Sequence, residues 1–232
     1  LQLLIWALQT WRTELDSSFP EYLIHTIALA AMAAVCTVML GLMLALIRRN
    51  ARGHGAALQR FSVKLATLGY ALPGSVLAMG IIVAFTYLDQ SLFAWLGRGP
   101  LLVSSVFALL LAYLTRFMAV AFAPLESAME RIKPVLSEAA RSLGASPARL
   151  LREIYLPLLR PGVFTALIIV FVDVMKEMPA TLIMRPFGWD TLAVRIYQMT
   201  AEGQWERAAL PALTLLLAGL LPVILLVRRS RS

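Results

Sequence analysis

The chain has 232 residues, of which 60% are hydrophobic and only 15% charged, with a mean hydropathy of +0.78. That balance excludes an ordinary water-soluble globular domain and places the chain in a bilayer. The net charge of +8 calls for no nucleic acid, because topology and anionic inner-leaflet lipid account for it; the lone Cys36 forms neither an internal disulfide nor a cysteine metal site.

The chain starts at Leu1, with no short, basic, cleavable signal before its first long apolar run. Its opening stretch, "LQLLIWALQTW", is about half the roughly 20 residues a helix needs to cross hydrocarbon. It reads either as the end of a truncated span or as an interfacial helix, so residues 1–20 are set apart from a transmembrane domain over 21–232. Five longer runs follow, at about Tyr22 to Ile47, Leu65 to Leu88, Leu101 to Phe122, Val163 to Met184 and Ala208 to Val227. Each must be helical, since unpaired backbone cannot face lipid, and the predicted fold is all-α.

In the first span Thr26, Cys36, Thr37 and Gly41 are small or weakly polar and suit close packing. The second, "LATLGYALPGSVLAMGIIVAF", spaces small residues four apart at Ala71 and Ser75 and at Gly74 and Ala78. Pro73 makes it either a kinked packing helix or a gate that bends there. Arg116 in the third span is expected to snorkel to the surface as an anchor. Beyond it, "APLESAMERIKP" continues as a surface helix until Pro134.

Basic residues set the orientation. Arg48, Arg49, Arg52, Arg60 and Lys64 fall in one loop, Arg131, Lys133, Arg141, Arg149, Arg152 and Arg160 in another, and Arg228, Arg229 and Arg231 in the tail. The opposite loops hold only Arg12, Arg98, Arg185, Arg195 and Arg207. Loops 48–64 and 123–160 and the C-terminus are therefore expected in the cytoplasm. The tryptophans Trp6, Trp11, Trp95, Trp189 and Trp205 then form an outer interfacial belt.

The loop over 123–160 contains a patterned hairpin, "SEAARSLGASPARLLREIYLPLLRPG". Ser137 is the expected N-cap of a short helix that Gly144 closes in a left-handed conformation. Ser146 caps and Pro147 opens a second helix with Leu150, Ile154 and Leu158 on one face, flanked by Leu151 and Tyr155. Pro157 and Pro161 are expected to stop it. A loop that spends so many residues on ordered, capped elements favours a docking surface.

In the fourth span, "VDVMKEMPATLIMRP" puts Asp173, Lys176 and Glu177 along adjacent faces of one helix. Charges at that depth cost several kcal/mol unless paired or hydrated. Either Asp173 and Lys176 neutralise each other and pin the bundle, or the group lines a translocation path. After it, Asp190 or Thr191 caps an amphipathic helix with the stripe Leu192, Ile196 and Met199, ended by Gly203. His25 and His54 are far apart, so no catalytic acid–base pair or metal cluster emerges and no enzyme is expected.

The hairpin resembles the cytoplasmic loop of permease subunits of binding-protein-dependent ABC importers: "EAA", three residues, glycine, nine residues, isoleucine, one residue, "LP". Here these positions are Glu138, Ala139, Ala140, Gly144, Ile154, Leu156 and Pro157. The resemblance implies the five-helix core of the type I importer fold, with the first short helix as the coupling helix seated in a groove of the ATP-hydrolysing subunit. It implies as partners a pair of cytoplasmic ATP-binding subunits, a second permease half or copy, a periplasmic substrate-binding protein and membrane lipid, with the chain in a bacterial inner membrane. No "GxxxxGK[ST]" occurs, so ATP phosphates are cradled elsewhere and no cofactor is expected in this chain. "KEMPATLIMRPFGWDTLAVRIYQ" and "LGYALPGSVLAMG" are similar to permeases of ferric iron uptake, and in part to those for thiamine, phosphonates or polyamines. In the ferric subfamily two units commonly share one polypeptide, so the chain resembles a carboxy-terminal half. A hard trivalent cation suits oxygen ligands such as Asp173, Glu177 or Tyr70. The reading from another class is an ion-coupled carrier with Asp173, Lys176 and Glu177 as a relay.

Overall fold

Backbone in hydrocarbon must satisfy its own hydrogen bonds. In the computed structural model, which describes residues 1–15, 18–50, 55–93 and 101–230, every regular element is accordingly a helix. Five are long and apolar enough to cross a membrane: Phe19–Arg49, Gly74–Ser91, Val106–Glu130, Pro147–Met175 and Trp205–Ile224. Trp95, His54, Arg52, Arg98 and Arg231 lie outside the described residues.

The short first stretch forms α1 (Gln2–Glu14). It packs along α11 (Trp205–Ser230), where buried Glu14 pairs with Arg207 and Thr10 Oγ1 donates to the Glu206 carbonyl at 3.4 Å. The core is built by α2 (Phe19–Asn50), α5 (Val106–Glu130) and α8 (Leu156–Met175), which pack on one another pairwise. Small residues set their spacing. A methyl group on Gly162 would stand 2.5 Å from Ala128 Cβ, and one on Gly41 3.1 Å from Leu125.

Two spans are not single helices. The predicted second span divides into the end of α3 (Gly55–Thr67), a 3₁₀ turn at Leu68–Ala71, and α4 (Gly74–Leu88), with Pro73 as its N-cap. Proline disfavours the helical conformation of the residue before it, and Leu72 is extended at ψ 138°. Of the small pairs expected to pack, Gly74 and Ala78 are buried, whereas Ala71 and Ser75 are exposed. The predicted fourth span likewise ends at Met175, and the chain restarts at α9 (Pro179–Met184). Pro179 takes the opening turn of the new helix, where its missing N–H leaves no bond unmade.

Asp89, buried beyond the end of α4, accepts from the backbone N–H groups of Leu101, Leu102 and Val103 at 3.1–3.2 Å. Ser105 then caps α5 through the N–H of Ala108 at 3.1 Å. The helix of the third span continues to Glu130 as expected, but with Leu125 and Met129 buried in the core and not lying on the surface, and Pro134 starts a new helix instead of ending an old one.

Opposite the hairpin, Thr191 caps α10 (Leu192–Ala201), Leu192 and Met199 are buried, and Gly203 turns the chain at φ +77°. The preceding turn is fastened to α2 by the Leu192 N–H on Thr26 Oγ1 at 2.9 Å and by Trp189 stacked on His25 with ring centroids 4.8 Å apart. Trp189 is therefore a packing residue, unlike Trp11 and Trp205, which are exposed.

Candidate functional site

The hairpin consists of α6 (Pro134–Ser142), α7 (Pro147–Leu150) and a π-helical segment, Leu151–Tyr155, that runs on into α8. Lys133, not Ser137, is the N-cap of α6, because Pro134 takes the first helical position. Ser137 instead faces inward, buried, with its hydroxyl 3.0 Å from Tyr155 Oη.

The C-terminus of α6 shows why the alanine and glycine positions matter. Gly144 has φ +80°, its N–H donates to Arg141 O at 2.9 Å, and Ala145 N–H reaches back to Ala140 O at 3.0 Å. This paired closure requires a left-handed residue at 144. Ala140 and Ala145 are partly buried against the core, so small side chains let the closure sit flush. Glu138, Ala139, Arg141 and Ser142 stay exposed, beside Val135, Leu136 and Leu143, the last 89% exposed. Exposed apolar side chains interleaved with charge on a rigid helix form a surface suited to a protein partner.

The second half of the hairpin departs from expectation. Ser146 Oγ accepts from Arg149 N–H at 3.3 Å and Pro147 opens the helix as predicted, yet Pro157 and Pro161 do not stop it. The run from Pro147 to Met175 is continuous. Pro157 has no N–H for the carbonyl four residues back, and the π segment lies just ahead of it. One extra residue in that turn moves the buried face from the expected Leu150, Ile154 and Leu158 to Leu150, Tyr155 and Leu159. Leu158 and Pro157 are exposed, Leu156 is 40% exposed, and Ile154 is half-buried.

Behind α6 lies a groove of about 520 Å³ lined by Arg49, Glu130, Ser137, Glu138, Arg141 and Tyr155. Arg49, at the end of α2, donates to the carbonyls of Met129 and Ile132, both at 2.7 Å, and lies 5.1 Å from the Tyr155 ring centroid. Sequence reasoning treated Arg49 only as a topology signal.

A second polar cluster lies where both broken helices come together. Glu177, buried, forms an ion pair with Arg116 (Nε to Oε2, 3.0 Å), and its Oε1 accepts from the Ala180 N–H at 3.1 Å. Arg116 Nη1 donates to Leu72 O at 2.8 Å. The two backbone breaks thus supply a carbonyl and an N–H that the pair satisfies, and Gly74 is close enough that a methyl group there would meet Glu177 Oε1 at 2.6 Å. Arg116 does not snorkel: a buried carboxylate within reach holds it inside the bundle. The expected trio divides accordingly. Lys176 pairs with Asp173 at 2.8 Å and is 65% exposed, while Glu177 turns away to Arg116. The signal that could have set Glu177 apart from Asp173 is "EMP", an acid two residues before a proline that breaks the span. Tyr70 is exposed. Among the described residues no group of His, Cys, Asp and Glu is arranged to hold a metal ion.

The fold and these two sites define a multi-pass helical membrane domain with an ordered, capped hairpin between two of its spans. Residues 37–230 match the family model of the binding-protein-dependent transport system inner membrane component, and the chain belongs to that family, a transport component and not an enzyme. It is 26% identical over 229 residues to the Fe(3+)-transport system permease protein FbpB 2 of Haemophilus influenzae, covering 97% of this chain and 43% of that protein. The chain thus spans less than half the length of that relative. It is 30% identical over 203 residues to the putative 2-aminoethylphosphonate transport system permease protein PhnV of Salmonella typhimurium, covering 85% of this chain and 71% of that one. The fold is shared with a bacterial alginate ABC transporter (TM-score 0.81, 16% identity, 99% of this chain and 86% of that) and with the MetNI methionine ABC transporter (TM-score 0.71, 17% identity, 94% and 98%).

Proposed function

We propose that this chain is the transmembrane half of an ATP-driven importer that receives ferric iron from a periplasmic binding protein and borrows hydrolysis from a separate ATPase. The observation that carries the coupling role is α6: a short, exposed helix closed by Gly144 at φ +80° and seated by Ala140 and Ala145. In this reading the hairpin is cytoplasmic, and Glu138, Ala139, Ala140, Gly144, Ile154, Leu156 and Pro157 form or seat the ATPase-docking element. Residues 21–232 are the permease domain and 1–20 an interfacial segment. A partner that closes on ATP would push α6 and rock the spans between two arrangements. The Asp173–Lys176 and Arg116–Glu177 pairs mark the path, because the buried Glu177 beside two helix breaks, with the more exposed Asp173–Lys176 pair just before it in the chain, is the polar surface a cargo would meet at the bundle.

Ferric iron is supported by the likeness to FbpB 2 along 97% of the chain; the carboxylates Asp173 and Glu177 are each already paired with a cationic side chain and add no second argument for it. The 30% identity to PhnV favours a phosphonate as the second reading. The deciding experiment assembles the full permease with its ATPase in liposomes and measures ATP turnover with binding protein that is empty, ferric-loaded, phosphonate-loaded or polyamine-loaded. Stimulation by the ferric form alone is expected. Stimulation by another form replaces the cargo, and silence from every form in an assembled complex overturns the importer.

A further inference from the structure

The end of α2 carries two adjacent arginines that behave differently. Arg48 pairs with Glu126 at the surface of α5. Arg49 turns inward, and its guanidinium touches every element at the root of the hairpin. Nη1 and Nη2 donate to Met129 O and Ile132 O in and just after the last turn of α5, a turn with no basic residue of its own. Nη2 also lies 3.5 Å from Ser137 Oγ on α6, and Cζ stands over the Tyr155 ring ahead of α8, 5.1 Å from its centroid.

Two independent features converge on this point. The carbonyls at the end of a helix lack intrahelical donors and carry partial negative charge, so a cation delivered from another helix satisfies them. Separately, the π turn brings Tyr155 into the interior beside Leu150, where its hydroxyl meets Ser137. A planar fork can bridge two carbonyls while its cationic carbon stands over a ring; an ammonium is a point charge. An interfacial anchor would extend to lipid headgroups, and Arg49 does the opposite.

We infer that Arg49 is the positioning residue through which a displacement of α6 reaches α2, α5 and α8 together. This rests on the proposal that α6 docks an ATPase. Arg49 itself touches neither nucleotide nor cargo; it keeps the hairpin from swinging independently of the spans.

The test uses the full permease, reconstituted with its ATPase and binding protein, and reads uptake of radiolabelled ferric iron, 2-aminoethylphosphonate and spermidine per assembled complex. Hydrogen exchange of the purified permease is measured alongside. R49A is expected to retain the ATPase at wild-type stoichiometry, to lose uptake by about tenfold, and to exchange faster at 134–142 and 151–155 while α2 and α5 stay protected. R49K recovers part of the uptake, and R48A behaves as wild type. Full uptake by R49A overturns the inference, as does a parallel loss of assembly and global protection, which would make Arg49 a folding residue only. If the wild-type complex takes up none of the three, the importer reading fails by itself. The exchange measurement then decides the link: unchanged exchange at the hairpin in R49A overturns it, and faster exchange confined there supports it.

Discussion

Glycine at 69 and glycine at 80 occupy the same apolar crossing, yet their surroundings differ completely. A methyl group on Gly69 would stand 2.1 Å from the Thr115 carbonyl oxygen, a backbone atom that cannot step aside, whereas nothing lies within 4 Å of one on Gly80. Gly69→Ala is expected to destabilise the protein by about 1–3 kcal/mol or more, and Gly80→Ala to be neutral, as read by thermal unfolding in detergent. The Arg116–Glu177 pair makes a second prediction. Removing one partner leaves the other charge uncompensated, at a cost of about 3 kcal/mol, the lower end of the range because Arg116 keeps some solvent contact. R116A and E177A should each lower stability, and the double variant should lose less than their sum; additive losses would show that the two charges do not interact. Sequence reasoning found Glu177 and Arg116 singly and misassigned the second. Which charge meets which depends on helices far apart in the chain, and local spacing favours the neighbour, Lys176.

At the scale of the element, the hairpin was legible because its signals are local. Gly144, Ser146 and Pro147 do what their side chains dictate within a few residues. Ser137 did not, since Pro134 took precedence for the helix start, and the proline stops failed: a π turn lies just ahead of Pro157, and α8 runs on through Pro161. Gly144 has open space around its Cβ position, so a substitution there strains only the backbone, by about 1–2 kcal/mol for most residues. Gly144→Val is expected to abolish ATP-coupled uptake with insertion intact, and Gly144→Asn, which tolerates the left-handed region, to keep most of it. Equal uptake by both would separate the closure of α6 from coupling. Glu138→Lys, on the exposed face of α6, is expected to weaken ATPase binding without altering thermal stability.

For the whole molecule, the orientation proposed from the basic loops has a direct test. With Cys36 replaced by alanine, Ser142→Cys should react with a membrane-impermeant maleimide only in inverted vesicles, and Phe187→Cys, at a fully exposed turn, only in intact cells; the reverse pattern would invert the topology. Amino-acid content by itself determined that the chain is membrane-embedded and all-α, roughly where its apolar crossings fall, and that a capped hairpin interrupts them. These follow from hydropathy and from short-range cap chemistry, which need no tertiary partner. Only the tertiary structure decided that the two proline breaks are brought to a shared ion pair, and that Arg49 fastens the hairpin to the spans. The reason is physical: a charge in a low-dielectric bundle goes to whichever partner the packing of distant helices brings within about 3 Å, and no local pattern encodes that choice.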